Sequence, residues 1–150
     1  MRHSCVIFDC DGTLVDRRED EGSKPHPGME ELISRLKAKK IKIAVLSDKP
    51  ADALHRVIDN LFPAGSFDAV RGGQPGLKPD PSVVWDLLVE LNRSPHETIF
   101  AGDTENDMEM ARSAGCYPMG VSWGFRTREA LEQAGAAFVI DSPDQIWKLL

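Results

Sequence analysis

The stretch that decides the fold of this chain is CVIFDCDGT, at residues 5–13. Its apolar half is typical of a buried strand and ends abruptly in Asp9 and Asp11, and the Gly-Thr pair that follows predicts a turn. In an open α/β sheet, ligands bind in the crevice outside the carboxyl ends of the strands. Two carboxylates at this position therefore indicate a functional site, although this stretch alone is equally compatible with a simple Asp-capped turn.

Three further stretches carry polar residues at comparable places. An apolar run at 41–46 ends in Ser47, and another at 98–101 ends in Gly102-Asp103 with Asp107 four residues on. The third stretch, GLKPD at 76–80, contains Lys78 and precedes a helical pattern. The motifs thus recur along most of the chain.

Their order, Asp-x-Asp-Gly-Thr, then Ser after a strand, then Lys, then Gly-Asp-x-x-x-Asp, resembles the haloacid dehalogenase-like superfamily of phosphohydrolases. The resemblance is specific because four spaced motifs must coincide, and it covers nearly the whole chain. It implies a Rossmann-like core and a phosphatase. Dehalogenases of this superfamily lack an acid at the position of Asp11, because halide leaves without a proton.

Hydrophobic periodicity supports the same fold class. Apolar runs of strand type alternate with amphipathic helical patterns, which requires right-handed crossovers and a parallel sheet. We therefore expect a three-layer α/β/α sandwich with a mainly parallel sheet, in one domain at 1–150 as the length also suggests. The predicted strands lie at 6–8, 41–46, 67–70, 99–101, 119–121 and 138–140.

Composition limits the classes of partner. The net charge of −6 argues against a nucleic-acid-binding surface, which needs a basic face. No leader peptide and no apolar run of membrane-spanning length is visible, so neither secretion nor membrane insertion is expected. Three cysteines without paired spacing fit reduced thiols in a cytosolic protein.

The resemblance assigns the two acids of the first motif to successive chemical roles. Asp9 is implied to be the nucleophile that forms an aspartyl phosphate. Asp11 is implied to protonate the leaving alcohol and then to deprotonate the attacking water. Two alternatives are a phosphate-binding regulatory module, which would be expected to lack the nucleophile or the lysine, and a phosphotransferase that passes the phosphoryl group to an acceptor other than water.

Clustered acids and an anionic substrate repel one another, so a divalent cation is needed, and hard oxygen ligands favour Mg²⁺. The family pattern implies side-chain ligation by Asp9 and Asp103, the backbone carbonyl of Asp11 as a further ligand, and support from Asp107 directly or through water. For Asp103 the alternative is a helix N-cap. The same pattern implies that Ser47 and Lys78 bind the phosphate; an ordinary surface lysine is the alternative for Lys78.

The C-terminal part, GCYPMGVSWG at 115–124 and its continuation, is similar to phosphoglycolate phosphatases. Those enzymes carry a helical cap domain where this chain has only a short charged flap at about 14–27. We therefore expect an open site for a small phosphorylated substrate, for a bulkier one (a sugar phosphate, nucleotide or phosphoprotein), or for use with a lid from a second subunit. Arg17, Arg18 and His26 border this opening, either as leaving-group contacts or as part of a solvated loop.

Overall fold

The computed structural model describes residues 3–18, 22–73 and 80–150. Its main sheet has six strands: β1 (Cys5–Phe8), β4 (Lys42–Leu46), β5 (Ala69–Arg71), β6 (Thr98–Gly102), β7 (Tyr117–Val121) and β8 (Phe138–Ile140). All six are parallel, and they lie in the order β5-β4-β1-β6-β7-β8. The predicted α/β fold class is confirmed.

Helices cover both faces of this sheet. They are α1 (Met29–Ala38), α2 (Ala51–Leu61), α3 (Ser82–Leu91), α4 (Glu105–Ala114) and α5 (Arg128–Gln133), with 3₁₀ turns at Pro95–Glu97 and Pro143–Leu149. The last of these buries Ile146 and Leu149.

The central strands are buried on both sides because successive side chains point to opposite faces. In β1, Val6 and Phe8 join the core formed with α1 and α2, whereas Cys5 and Ile7 join the core formed with α3 and α4. This explains why these strands read as continuous apolar runs, as parallel strands with two covered faces do. The sandwich therefore has the three layers predicted.

Strand order places a topological switch at β1. From β1 the chain moves outward through β4 to β5, then returns to β6 on the other side of β1 and continues to β7 and β8. Loops after β1 and β6 consequently leave the sheet in opposite directions and open a crevice between them. The acidic motifs begin in that crevice.

The segment expected to be a loop or flap contains a second, two-stranded sheet. Strands β2 (Val15–Arg18) and β3 (Gly22–Pro25) pair antiparallel. His26 closes the base of this hairpin: its Nδ1 lies 2.9 Å from Asp16 Oδ1, and its ring stacks on Trp123 with centroids 4.4 Å apart. The Trp123 indole in turn donates to the Thr13 carbonyl at 2.9 Å, so the hairpin is anchored to the turn that follows Asp11.

The three cysteines, all within the described ranges, are buried and form no disulfide. Burial raises the pKa of Cys5 to about 11 and that of Cys116 to about 12. We expect no reaction with a thiol reagent at about pH 8 in the folded protein and rapid reaction after unfolding, since the thiolate is the reactive form. Titration with a chromogenic disulfide, with and without denaturant, measures this; modification of Cys5 or Cys116 in the native state would contradict it.

Within the described ranges, the helices are all too short and too polar to cross a lipid bilayer.

Candidate active site

The acidic motifs lie at the switch point of the sheet. Asp9 directly follows β1 and Asp103 directly follows β6, and these two strands pair in parallel with Phe8 opposite Ala101. The Asp9 amide still donates to the Ala101 carbonyl at 2.9 Å, so the ladder continues to the first acid. Sheet register therefore brings together two carboxylates that are far apart in sequence.

A third carboxylate completes the cluster. Asp9, Asp103 and Asp107 each offer a ligand atom, and these atoms lie within 4.8 Å of one another. Burial raises the pKa of Asp103, and the charge on Asp107 raises it further. The negative charges of these carboxylates repel one another, and their converging oxygen atoms suit a hard divalent cation such as Mg²⁺. The residues present thus fit the metal that the sequence predicted.

Hydrogen bonds fix the orientation of Asp103. The Thr13 hydroxyl donates to its Oδ1 at 3.2 Å, and the Phe125 amide donates to its Oδ2 at 2.9 Å. These donors come from the turn after β1 and from the loop after β7, so two distant segments hold one buried carboxylate. Asp103 is not the N-cap of the following helix, which was the alternative from sequence.

Thr104 is that N-cap, and Asp107 closes a capping box with it. The Asp107 Oδ2 accepts from the Thr104 hydroxyl at 3.0 Å and from the Asp103 amide at 3.1 Å. Asp107 is fully buried and belongs to the first turn of α4, where the helix dipole favours a negative charge. Helix capping and cluster formation therefore use the same side chain.

Two glycines allow this crowding. Gly12 has φ of 83°, and a Cβ there would overlap the Asp103 carboxylate and lie 3.0 Å from the Phe125 ring. A Cβ on Gly102 would overlap the Asp107 side chain. Backbone can approach these acids only where no side chain intervenes.

Asp11 lies in the turn beyond Asp9, where the Leu14 amide donates to the Cys10 carbonyl at 2.9 Å. Its Oδ2 lies 3.2 Å from the Lys49 ammonium, and both side chains are partly exposed, 24% for Asp11 and 21% for Lys49. The sequence reasoning did not single out Lys49. The sequence could have indicated Lys49 only by its position, because it follows Ser47 in the loop after β4, the strand beside β1.

Ser47 is buried at the end of β4, and its hydroxyl oxygen accepts the Lys49 amide at 3.1 Å. A hydroxyl that accepts in this way still has a proton to donate, which suits contact with an anion. Lys78 lies outside the described residues. Before it in the sequence, Gly72 packs against the backbone of Lys49 and Ala51, and the Gly73 amide donates to the Lys49 carbonyl at 3.1 Å.

These side chains line one open pocket of about 530 Å³. All five described residues that the sequence placed in the site line it: Asp9, Asp11, Ser47, Asp103 and Asp107. The lining also includes Phe125, which is 61% exposed, and Arg126, which pairs with Glu105 at 2.9 Å. His26, which was predicted to border the opening, stacks on Trp123.

The chain has a parallel sheet with an acidic cluster at its switch point, and its sequence also matches a known protein family. Residues 17–121 match the haloacid dehalogenase-like hydrolase family, and the chain belongs to it. The resemblance read from the motifs is thereby confirmed.

Two individual relatives of this chain are named phosphoglycolate phosphatases. The phosphoglycolate phosphatase of Haemophilus influenzae is 28% identical over 130 residues, which cover 85% of this chain and 58% of that protein. The phosphoglycolate phosphatase of Aquifex aeolicus is 30% identical over 130 residues, covering 85% and 60%. The chain thus spans less than two thirds of the length of these relatives.

Solved structures agree on the fold. A candidate phosphoglycolate phosphatase from Lactobacillus delbrueckii subsp. bulgaricus superposes with a TM-score of 0.90 at 22% identity, covering 100% of this chain and 99% of that one. A haloacid dehalogenase-like hydrolase from Streptococcus pneumoniae gives 0.84 at 18% identity, with 98% of each chain covered. At these identities the likeness concerns the fold.

Proposed function

We propose that this chain is a Mg²⁺-dependent phosphomonoester hydrolase that acts through an aspartyl phosphate on Asp9. The observation that carries the proposal is the meeting of Asp9, Asp11 and the three-carboxylate cluster in one pocket at the switch point. Membership of the haloacid dehalogenase-like hydrolases supports it, as does similarity to proteins named phosphoglycolate phosphatases.

In the first step, a carboxylate oxygen of Asp9 attacks phosphorus and the bond from phosphorus to the ester oxygen breaks. Asp11 gives its proton to the departing oxygen, so that a neutral alcohol leaves. The hydrogen bond from the Cys10 amide to Asp9 Oδ1, at 2.8 Å, orients the nucleophile. The phosphoryl group is then held as an acyl phosphate on Asp9.

In the second step, Asp11 takes a proton from water and the water oxygen attacks phosphorus. The bond between phosphorus and the Asp9 oxygen breaks, which returns the carboxylate and releases inorganic phosphate. One carboxyl thus serves as acid and then as base, as microscopic reversibility permits for a group placed beside both oxygens. The position of Asp11 two residues after the nucleophile, across the turn, suits this double role.

Asp9, Asp103 and Asp107 would hold Mg²⁺ together with the Asp11 backbone carbonyl. When bound, the ion supplies positive charge that offsets the crowding of carboxylates and phosphoryl oxygens. Ser47 would donate to a phosphoryl oxygen from the end of β4, and Lys78 would pair with the phosphate. Positioning and charge neutralisation account for most of the catalysis of phosphoryl transfer.

The substrate is a small phosphorylated metabolite of the phosphoglycolate type, or a bulkier ester such as a sugar phosphate, nucleotide or phosphoprotein. The second class is favoured by the open pocket and by the short hairpin that occupies the interval expected for a cap. We propose a single domain at 1–150 with the hairpin as a flap, and a second copy of the chain as a lid where the substrate is small. The three buried cysteines, none of which is in a disulfide, accord with the cytoplasmic location that we propose.

Phosphate release from p-nitrophenyl phosphate, with Mg²⁺ and with a chelator, tests the proposal. Hydrolysis is expected only with the metal, and an acid-quenched reaction should yield a phosphate adduct on the peptide that carries Asp9. A panel of 2-phosphoglycolate, sugar phosphates and nucleotides at equal concentration then ranks the substrate classes. Phosphate binding without turnover of any ester would favour a regulatory module instead.

A further inference from the structure

The two oxygens of the Asp11 carboxylate lie in different environments, because one of them contacts Lys49. Oδ2 lies 3.2 Å from the Lys49 ammonium. Oδ1 is buried and has no hydrogen-bond partner within the part of the chain that the structure describes. Among the described residues, the Lys49 ammonium thus provides the side-chain contact that holds this carboxylate.

Lys49 is itself held in place by its backbone. Its amide donates to the Ser47 hydroxyl at 3.1 Å, and its carbonyl accepts the Gly73 amide at 3.1 Å. A Cβ on Gly72 would lie 2.9 Å from the same carbonyl, so that only glycine allows this contact. The backbone amide and the backbone carbonyl of Lys49 are therefore both held by groups at neighbouring strand ends. This limits where the ammonium can reach.

We infer that Lys49 is a positioning residue that anchors Asp11 by Oδ2 and thereby fixes the Asp11 carboxyl beside the ester oxygen of the leaving group. This inference rests on the proposed function. Anchoring one oxygen leaves the carboxyl a single orientation, and a proton is transferred efficiently only from a group held within hydrogen-bond reach of its acceptor. Lys49 acts through Asp11, and the phosphoryl group itself is bound by other residues.

Leaving-group dependence tests this role. Glycerol phosphate releases a poor leaving group that must be protonated, whereas dinitrophenyl phosphate releases a phenolate that leaves unprotonated. We expect Lys49→Met to lower the first-turnover rate of alcohol release from glycerol phosphate about tenfold or more, within the roughly 100-fold that a positioned acid contributes. With dinitrophenyl phosphate, the first-turnover rate of phenolate release, which precedes the attack of water, should change less than about twofold, and the half-saturating ester concentration for this turnover should be similar to wild type for both esters.

Three companion variants make the test specific. Lys49→Arg keeps a cation at the same place and should restore most of the glycerol phosphate activity. Lys49→Met added to Asp11→Asn should cost little beyond Asp11→Asn alone, because both changes remove the same function. Lys37→Met, at an exposed position on α1, should leave both activities unchanged.

An equal loss of the first-turnover rate with both esters, or a rise in the half-saturating concentration common to both, would overturn the inference, because it would show a structural or phosphate-binding role. Unchanged activity of Lys49→Met with glycerol phosphate would overturn it as well. Absence of Mg²⁺-dependent hydrolysis by the wild-type chain with either ester would overturn the proposed function, and this inference with it. The wild-type control therefore distinguishes the two failures.

Discussion

Replacement of Asp9 by Asn is expected to lower kcat for phosphate ester hydrolysis by about 10⁴-fold or more, since a nucleophile that acts within a unit carries nearly the whole effect of that unit. The amide has similar size and can still accept the Cys10 amide hydrogen bond, 2.8 Å in the native chain. The loss should therefore arise from missing nucleophilicity and not from unfolding.

The measurement is steady-state hydrolysis of p-nitrophenyl phosphate with Mg²⁺, together with the acid-quench assay for the phosphate adduct. Asp86→Asn is the matched control, because it makes the same chemical change at an exposed position on α3. It should retain full activity. Residual activity of Asp9→Asn within about tenfold of wild type would exclude Asp9 as the nucleophile.

Replacement of Asp103 by Asn is expected to affect metal binding and stability in opposite directions. Removing one of three clustered carboxylates should weaken Mg²⁺ binding and lower activity by more than about 100-fold, since even outer partners of a metal ligand contribute about 10- to 100-fold. Without metal, however, the variant should have a higher Tm than wild type. Burial and the neighbouring Asp107 raise the pKa of Asp103, so its ionised form costs folding free energy at neutral pH.

Thermal unfolding of both proteins with a chelator and with saturating Mg²⁺ checks this prediction. Wild type should gain stability from the ion, as any ligand that binds only the native state provides, and Asp103→Asn should gain little. The sign follows from linkage: a raised pKa means that wild-type stability without metal increases as the pH falls, and this dependence should be weaker in the variant. A Tm below wild type in the chelator would contradict it, and would indicate that the bonds from Thr13 and Phe125 require a full carboxylate.

Several parts of the fold could be predicted because their signals are local. The apolar runs of β1, β4 and β6 and the helical stripes between them identified the alternating pattern, and both faces of these strands are indeed covered. Lone hairpin strands such as β2 and β3 carry no strong hydrophobic alternation, so they were read as a loop.

For the site, the sequence identified the acids by type and by their place after strands, which is why Asp9, Asp11, Asp103 and Asp107 could be nominated together. It did not identify Lys49, whose importance depends on β4 lying beside β1. Nor did it show that Thr13 and the Phe125 amide hold Asp103. Those contacts join segments separated by as many as 90 residues.

By itself, the sequence determined which chemical groups follow the strands and how strands alternate with helices, because side-chain type and hydrophobic period are properties of short segments. Only the tertiary structure decided which of those groups meet. Strand order and register, set when both faces of the sheet are buried at once, place the ends of β1, β4 and β6 side by side, and no short segment contains that information.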